Sequence, residues 1–191
     1  MDSSFLLNMS TSDRRPGLAI SLRLSGRAAL VVGAGAGADE RTSRLRHAGA
    51  DVTRVDPGLY RTDMCVGAFL VVAHGDDPAF DRRVAADARA AGALAYAHDQ
   101  PDVSDLAFPA LARRGPLSLA ISTDGVAPAL ARRVREEIDR LFADLGPPLD
   151  QLIDEMAAHR AAAAPGAERA ERLYRLASRL RFAGRLAVDT E

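Results

Sequence analysis

Lysine is absent from the 191-residue chain, so all 25 basic side chains are arginine. This absence excludes a P-loop lysine, a Schiff-base lysine and a lysine general base. Cysteine occurs once, at Cys65, which excludes an intrachain disulfide and leaves no Cys-x-x-Cys pair for a metal. We therefore predict a protein of a reducing compartment with no metal-ligand set of its own.

Long hydrophobic runs and an excess of one charge are also missing. No apolar stretch approaches the roughly 20 residues that a bilayer requires, and the start MDSSFLLNMSTSDRR lacks the pattern of a signal peptide. The formal net charge is −1, so no overall field draws the chain to nucleic acid or to a membrane. We expect a soluble cytoplasmic protein whose N-terminus is poorly ordered as far as Pro16.

Apolar runs alternate with helical patterns through the first part of the chain. Strands are predicted at Ala28–Val32, Asp51–Val55, Phe69–Ala73 and Leu94–Ala97, and helices at Asp39–Ala48 and Pro78–Ala91. This alternation predicts an α/β fold with a Rossmann-like, doubly wound parallel sheet.

The later part of the chain has a different pattern. The segment PLSLAIST alternates apolar and small polar residues, which predicts a strand that pairs outside the first sheet. Pro128 then opens a helix whose apolar stripe begins at Leu130 and must pack on a partner. Gly146 and the two prolines after it break the chain, and two further helices follow around the AAAAPGA segment, the second reaching Leu186.

The glycine-rich segment Gly33-Ala-Gly35-Ala-Gly37-Ala38 follows a strand and opens a helix. Positions without a Cβ allow the backbone to approach a pyrophosphate, which the helix N-terminus then binds. Asp56 ends the second strand, where an acid can bind the ribose 2′-OH of NAD. A plain tight turn explains the glycines as well, and Asp56 before Pro57 is also an ordinary turn residue.

Two further groups of polar residues follow predicted strands. Asp99, in HDQP, comes just after the fourth strand, where ligands bind in open α/β sheets, but an Asp shortly before proline is also a common turn opening. Ser122, Thr123 and Gly125 precede the helix at Pro128 and could hold a carboxylate or merely cap the helix. Arg113 and Arg114 could clamp an anionic substrate or lie on a solvated face.

The order of these features is more specific than any one motif. VVGAGAGADERTSRLRHAGADV is followed by VVAHGDDPAFDRRVAADARAAG and by a D-x-P, F-P-A, R-G-P-L and A-I-S-T-x-G-x-x-P-A-L-A-R series. From Gly17 to Leu186, the chain resembles the precorrin-2 dehydrogenase and sirohydrochlorin ferrochelatase family, which forms the N-terminal half of siroheme synthases.

The resemblance implies a fold, a reaction and an assembly. It implies a Rossmann domain at residues 17–109, a strand-plus-helix dimerisation segment at 110–145, and a helical C-terminal domain at 146–191, in a homodimer. It also implies oxidation of the tetrapyrrole precorrin-2 to sirohydrochlorin with NAD, followed in many members by insertion of ferrous iron.

The resemblance also implies roles for individual residues. Asp99 matches the catalytic aspartate, which would accept a proton while the nicotinamide accepts a hydride. Gly33, Gly35 and Ala38 match the NAD-binding turn. Thr123 matches a position near the tetrapyrrole that is usually serine and is phosphorylated in some members.

The chain departs from the family near the cofactor and substrate. The connection between the second strand and Phe69 is short where the family carries a longer helix and strand. The family's Thr-Asp after the third strand appears as His74-Gly75, and its asparagine before the catalytic aspartate appears as Tyr96. We still place His74 beside the cofactor. The alternatives are a tetrapyrrole-binding or chelatase-only homologue with an impaired NAD site, and a generic NAD-dependent oxidoreductase.

Overall fold

The computed structural model describes residues 17–181, which form two compact units. The first contains residues 17–108 and 124–126, and the second contains residues 109–123 and 127–181. The prediction of a poorly ordered N-terminus, and the part of the last predicted helix beyond Arg181, lie outside the described residues. The predicted division into three domains stays a prediction.

The first unit is built around a four-stranded parallel sheet. In chain order its elements are β1 (Ala28–Gly33), α1 (Gly35–His47), β2 (Asp51–Val55), β3 (Leu70–His74), α2 (Pro78–Ala90) and β4 (Leu94–Ala97). The strand order is β2-β1-β3-β4 with every pair parallel, which confirms the predicted α/β fold.

Burial on both faces of this sheet explains the continuous apolar runs. The inner strands β1 and β3 are almost entirely buried because α1 covers one face and α2 the other, as parallel sheets require. On one face Val31 and Val72 pack with Ala38 and Leu45 of α1. The structure confirms both inner strands, although β1 ends one residue later than the predicted Val32 and β3 is shifted by one residue from the predicted Phe69–Ala73.

The start of α1 differs from the prediction. The helix begins at Gly35 rather than at Asp39, so two glycines lie in its first turn. Glycine is a poor helix former, which is why the sequence pattern placed the start later. The structure therefore places Gly35 and Gly37 in the helix rather than in a loop before it.

The second unit combines a β-hairpin with helices. Strands β5 (Ala110–Arg114) and β6 (Leu117–Ile121) are antiparallel, which confirms pairing of the later strand outside the first sheet. Helix α3 (Pro128–Ala162) is interrupted at Gly146, whose φ of 48° and ψ of −142° are not helical. The small hydrophobic core of this second unit contains Ala112, Phe142 and Leu149.

Helix α4 (Ala167–Ala177) is shorter than the sequence predicts. Instead of continuing through residues 178–181, the chain leaves the helix at Ser178, whose hydroxyl donates to the carbonyl of Arg175 at 2.7 Å. A serine bonded in this way competes with the helical hydrogen bonds and favours the end of a helix. The prediction of a longer final helix is therefore wrong for this segment.

Candidate functional site

The carboxyl ends of three neighbouring strands meet at one edge of the parallel sheet. Gly33 ends β1, His74 ends β3, and Asp99 follows β4 by two residues. Gly33 lies opposite His74 in the register, and Ala73 lies opposite Ala97. The topology thus brings the glycine turn and Asp99 to the same edge, where ligands bind in open α/β sheets.

Each glycine of the turn is required for a different structural reason. A Cβ on Gly33 would lie 2.3 Å from the carbonyl oxygen of His74, so close packing of two strands requires that glycine. A Cβ on Gly37 would lie 1.9 Å from Nε2 of His74, so the imidazole uses the space above that residue. Gly35 has a φ of +73° and open space around its Cβ position. Of these three glycines, Gly35 alone has open space at its Cβ position.

The first turn of α1 is suited to an anion. Ala34 precedes the helix in an extended conformation and gives it no side-chain cap, and the first turn contains no acidic residue. The backbone N–H groups of a first turn have no partner within the helix, and they favour a negative charge. The turn therefore fits a pyrophosphate at Gly35, with the His74 ring beside it at Gly37.

Two histidine rings connect the glycine turn to Asp99. The rings of His74 and His98 lie 3.9 Å apart between centroids, with a tilt of 37°. Nε2 of His98 lies 3.7 Å from Oδ2 of Asp99. The Nδ1 atoms of both rings are buried and have no hydrogen-bond partner among the described residues. The resulting row of side chains runs from Gly37 through the two imidazoles to the carboxylate.

The charge state of His74 follows from its surroundings. Burial lowers its pKa most, and the nearby His98 and Arg41 lower that pKa further, against a smaller opposing effect of Asp99. Because imidazole already titrates just below neutral pH, His74 is neutral at physiological pH. A neutral ring can stack on His98 without charge repulsion.

Asp99 projects from the sheet edge into solvent. Its side chain is 91 % exposed, and its φ of 52° is in the left-handed region. Aspartate and asparagine adopt this region more readily than most residues. The carboxylate is thus accessible to a bound molecule.

A buried acid that sequence reasoning missed fixes the turn after β3. Asp81 of α2 is 1 % exposed, and its two carboxylate oxygens accept from the backbone N–H of Gly75 at 3.0 and 3.1 Å. Burial raises the pKa of this carboxyl group, against the opposing effect of that hydrogen bond. The available signal was an acid at helical spacing from the apolar positions Val84 and Ala88.

The region after β2 is compact and contains a shallow depression. Asp56 directly follows β2 and is exposed, without a side-chain cap to the short 3-10 turn that begins at Pro57. A depression of about 360 Å³ lies beside this turn; its lining residues are Pro57, Gly58, Gly75, Asp76, Asp77 and Phe80. The depression separates the turns that follow β2 and β3.

The short connection between β2 and β3 consists of two 3-10 turns, and one tyrosine holds them in place. The Tyr60 hydroxyl donates to Oδ2 of Asp87 at 2.9 Å and lies 3.2 Å from Sγ of Cys65. Thr62 donates to the same carboxylate oxygen at 3.0 Å. Burial and these hydrogen bonds raise the pKa of Tyr60, so the phenol stays protonated. Cys65 is fully buried here, where it completes the core.

The predicted substrate-binding residues fall largely in the second unit. Oγ1 of Thr123 accepts from the backbone N–H of Ala127, the residue before α3, at 3.1 Å. This bond orders the turn before the helix, and no described side chain caps the first turn of α3. Gly125 belongs to the first unit and has a φ of 79°. Arg113 is exposed on β5, opposite Ser118.

One arginine that was considered as a clamp has a structural partner. The guanidinium of Arg114 donates to both carboxylate oxygens of Asp150, at 2.8 and 2.5 Å, and to the carbonyl of Phe142 at 3.1 Å. These bonds join β5 to α3 within the second unit. Arg113 is therefore the better candidate for an anionic ligand.

The described residues contain neither a metal cluster nor a membrane helix. Between Gly17 and Arg181, no three His, Cys, Asp or Glu side chains come close enough to hold a metal ion. Across the same range, every helix is too short or too polar to cross a bilayer.

Comparison with known proteins agrees with this arrangement. A family model described as putative NAD(P)-binding matches residues 20–110, and one described as sirohaem biosynthesis protein central matches residues 114–141. In sequence, the chain is similar to siroheme synthases. The siroheme synthase of Tolumonas auensis is 36 % identical over 142 residues, which cover 65 % of this chain and 30 % of that protein.

Other siroheme synthases show similar coverage. The siroheme synthase of Gluconacetobacter diazotrophicus is 37 % identical over 131 residues, or 69 % of this chain and 27 % of that protein. The chain thus spans about a third of the length of such curated relatives. A solved structure named SirC, precorrin-2 dehydrogenase, has a TM-score of 0.68 at 23 % identity and covers 84 % of this chain and 89 % of its own. That likeness confirms the fold.

Proposed function

We propose that the chain is an NAD-dependent precorrin-2 dehydrogenase, in which Asp99 is the catalytic base. The observation that carries this proposal is the placement of an exposed carboxylate at the same sheet edge as a glycine turn that fits a pyrophosphate. The names of the relatives and of the solved structure support the choice of reaction. Bound NAD would supply the hydride acceptor at this edge.

Oxidation of precorrin-2 to sirohydrochlorin removes two electrons and two hydrogens. One hydrogen leaves with both electrons as a hydride, which reduces NAD⁺ to NADH. The other leaves as a proton, which the Asp99 carboxylate accepts and passes to water. In an iron-inserting member, the same carboxylate could accept the pyrrole N–H protons, so we include ferrous iron insertion as a second proposed step.

We assign cofactor and substrate residues within this proposal. Gly33, Gly35, Gly37 and Ala38 shape the pyrophosphate turn, Asp56 binds the ribose 2′-OH, and His74 lies beside the pyrophosphate. The hydroxyls of Ser122 and Thr123, the turn at Gly125, and Arg113 bind the carboxylates of the tetrapyrrole. We also propose a cytoplasmic location.

A homodimer is part of the same proposal. Helix α3 exposes Leu130, at 56 %, together with Leu141 and Leu145. Leu130 and Leu141 belong to the apolar stripe that the sequence predicts to need a partner, and Leu145 lies one helical turn beyond it. A second copy of the chain would bury them.

The deciding experiment compares Asp99→Asn with the unaltered protein under anaerobic conditions, with NAD and precorrin-2. Asparagine keeps the side-chain size and tolerates the left-handed φ of this position, so the turn is preserved. Loss of a general base reduces turnover by about 10²- to 10⁴-fold. NADH and sirohydrochlorin absorbance are followed together.

The matched control is Asp102→Asn, which alters an exposed acid of the same loop that pairs with Arg82 at 2.6 Å. We expect this variant to retain its turnover. Equal turnover of Asp99→Asn and the unaltered protein would remove Asp99 from the mechanism. Tetrapyrrole binding without any NADH would favour the alternative, a chelatase-only or binding homologue.

A further inference from the structure

A guanidinium lies beside the glycine turn and is held by an acid of α1. Arg54 of β2 directs Nε to the carbonyl oxygen of Gly33 at 3.3 Å and pairs through Nη1 with the carboxylate of Asp39. Gly33 is the last residue before the turn, and Asp39 lies in the second turn of α1. The arginine charge is therefore next to the proposed dinucleotide site but already compensated.

Open space adjoins this ion pair. A groove of about 580 Å³ runs along α1; its lining residues are Asp39, Thr42, Ser43, Arg46, His47 and Arg54. The side chain of Arg54 is 30 % exposed and that of Asp39 is 61 % exposed. A ligand phosphate could thus reach the guanidinium if the carboxylate released it.

Dinucleotide-binding folds select their cofactor by charge in this region. An acid near the end of the second strand binds the ribose 2′-OH of NAD, whereas an arginine nearby accommodates the 2′-phosphate of NADP. The chain has both kinds of residue, because Arg54 precedes Asp56 by two positions. Which cofactor the site selects then depends on whether the arginine is available.

We propose that Asp39 determines the cofactor specificity of this site. By pairing with Arg54, it withholds the guanidinium from a 2′-phosphate, so the site selects NAD over NADP. This inference rests on the proposed function, since it needs a dinucleotide at the glycine turn. Removal of the Asp39 carboxylate frees the Arg54 guanidinium and also removes a negative charge beside it. Both changes favour binding of the 2′-phosphate.

The test measures dissociation constants of NAD and NADP by calorimetry on the full chain, without precorrin-2. We expect Asp39→Ala to increase NADP affinity about tenfold, which corresponds to about 1.4 kcal/mol, and to change NAD affinity less than about twofold. Alanine is the best helix former, so α1 is retained. In the double variant Asp39→Ala/Arg54→Gln, the increase in NADP affinity should disappear.

The matched control is Glu40→Ala, which removes the same charge from the next position of α1. The exposed Glu40 lies 3.5 Å from the partly buried Arg44, whereas Asp39 pairs with Arg54, so the loss of Glu40 should leave the ratio of the two affinities unchanged. If NAD binds but Asp39→Ala and Glu40→Ala shift the ratio equally or not at all, the specificity role of Asp39 is refuted. If the unaltered chain binds neither dinucleotide, the proposed cofactor site fails and this inference fails with it.

Discussion

The contact between Gly37 and the His74 ring predicts an energetic coupling between two positions that are distant in sequence. In Gly37→Ala, the new methyl group would lie 1.9 Å from Nε2 and 2.7 Å from two ring carbons of His74. The imidazole must then rotate away and lose its stacking on His98. In a His74→Ala background, the same methyl group meets no ring.

The magnitude follows from two opposing effects. Extra volume in a packed site costs about 1–3 kcal/mol, and alanine stabilises a helix by roughly 0.5–1 kcal/mol relative to glycine. We expect Gly37→Ala to lower the free energy of unfolding by about 1 kcal/mol. In the His74→Ala background, it should raise that free energy by about 0.5–1 kcal/mol. The coupling energy of the pair is then about 1.5–2 kcal/mol.

Hydrogen exchange of the β1 and β3 amides is a suitable assay, because it reports on the parallel sheet separately from the second unit. All four combinations of the two substitutions are compared. Additive effects, within about 0.5 kcal/mol, would refute the packing argument.

Gly33→Ala supplies the control for this cycle. Its methyl group would lie 2.3 Å from the backbone carbonyl oxygen of His74. That atom is present whatever the side chain at position 74, so His74→Ala should not relieve the cost. Relief of both substitutions by His74→Ala would mean that the ring acts indirectly.

Two further predictions concern polar groups that support the sheet edge. Tyr60→Phe removes the hydroxyl that bonds Asp87 and contacts Cys65, and should lower the free energy of unfolding by about 1 kcal/mol in a urea titration; an unchanged midpoint would show that the tyrosine does not hold the short connection. Because burial raises the pKa of Asp81 in the folded state, the folded protein binds its proton more tightly than the unfolded chain, and stability falls as pH rises through that pKa. Asp81→Asn should reduce this dependence of the free energy of unfolding on pH, while the amide oxygen of the asparagine still accepts from the N–H of Gly75. An unchanged pH dependence would exclude Asp81 as its source.

The sequence by itself determined the elements whose periodicity is local. The boundaries of β2 and β4 are predicted to the residue, because each is a short segment with β-branched or aromatic residues that is bounded by turns. The glycine series, the position of Asp99 after a strand and the break at Gly146 also follow from residue types in order. The family resemblance rests on the same linear order.

The tertiary structure alone decided which distant residues touch. The His74 ring on Gly37, the buried Asp81 carboxylate at Gly75 and the pairing of Arg54 with Asp39 each join separate elements. None of these contacts has a local pattern, because strand order and side-chain direction set them. Strand β5 was missed for the same reason: the segment ALARR has two charged residues, and it becomes a strand only because β6 pairs with it.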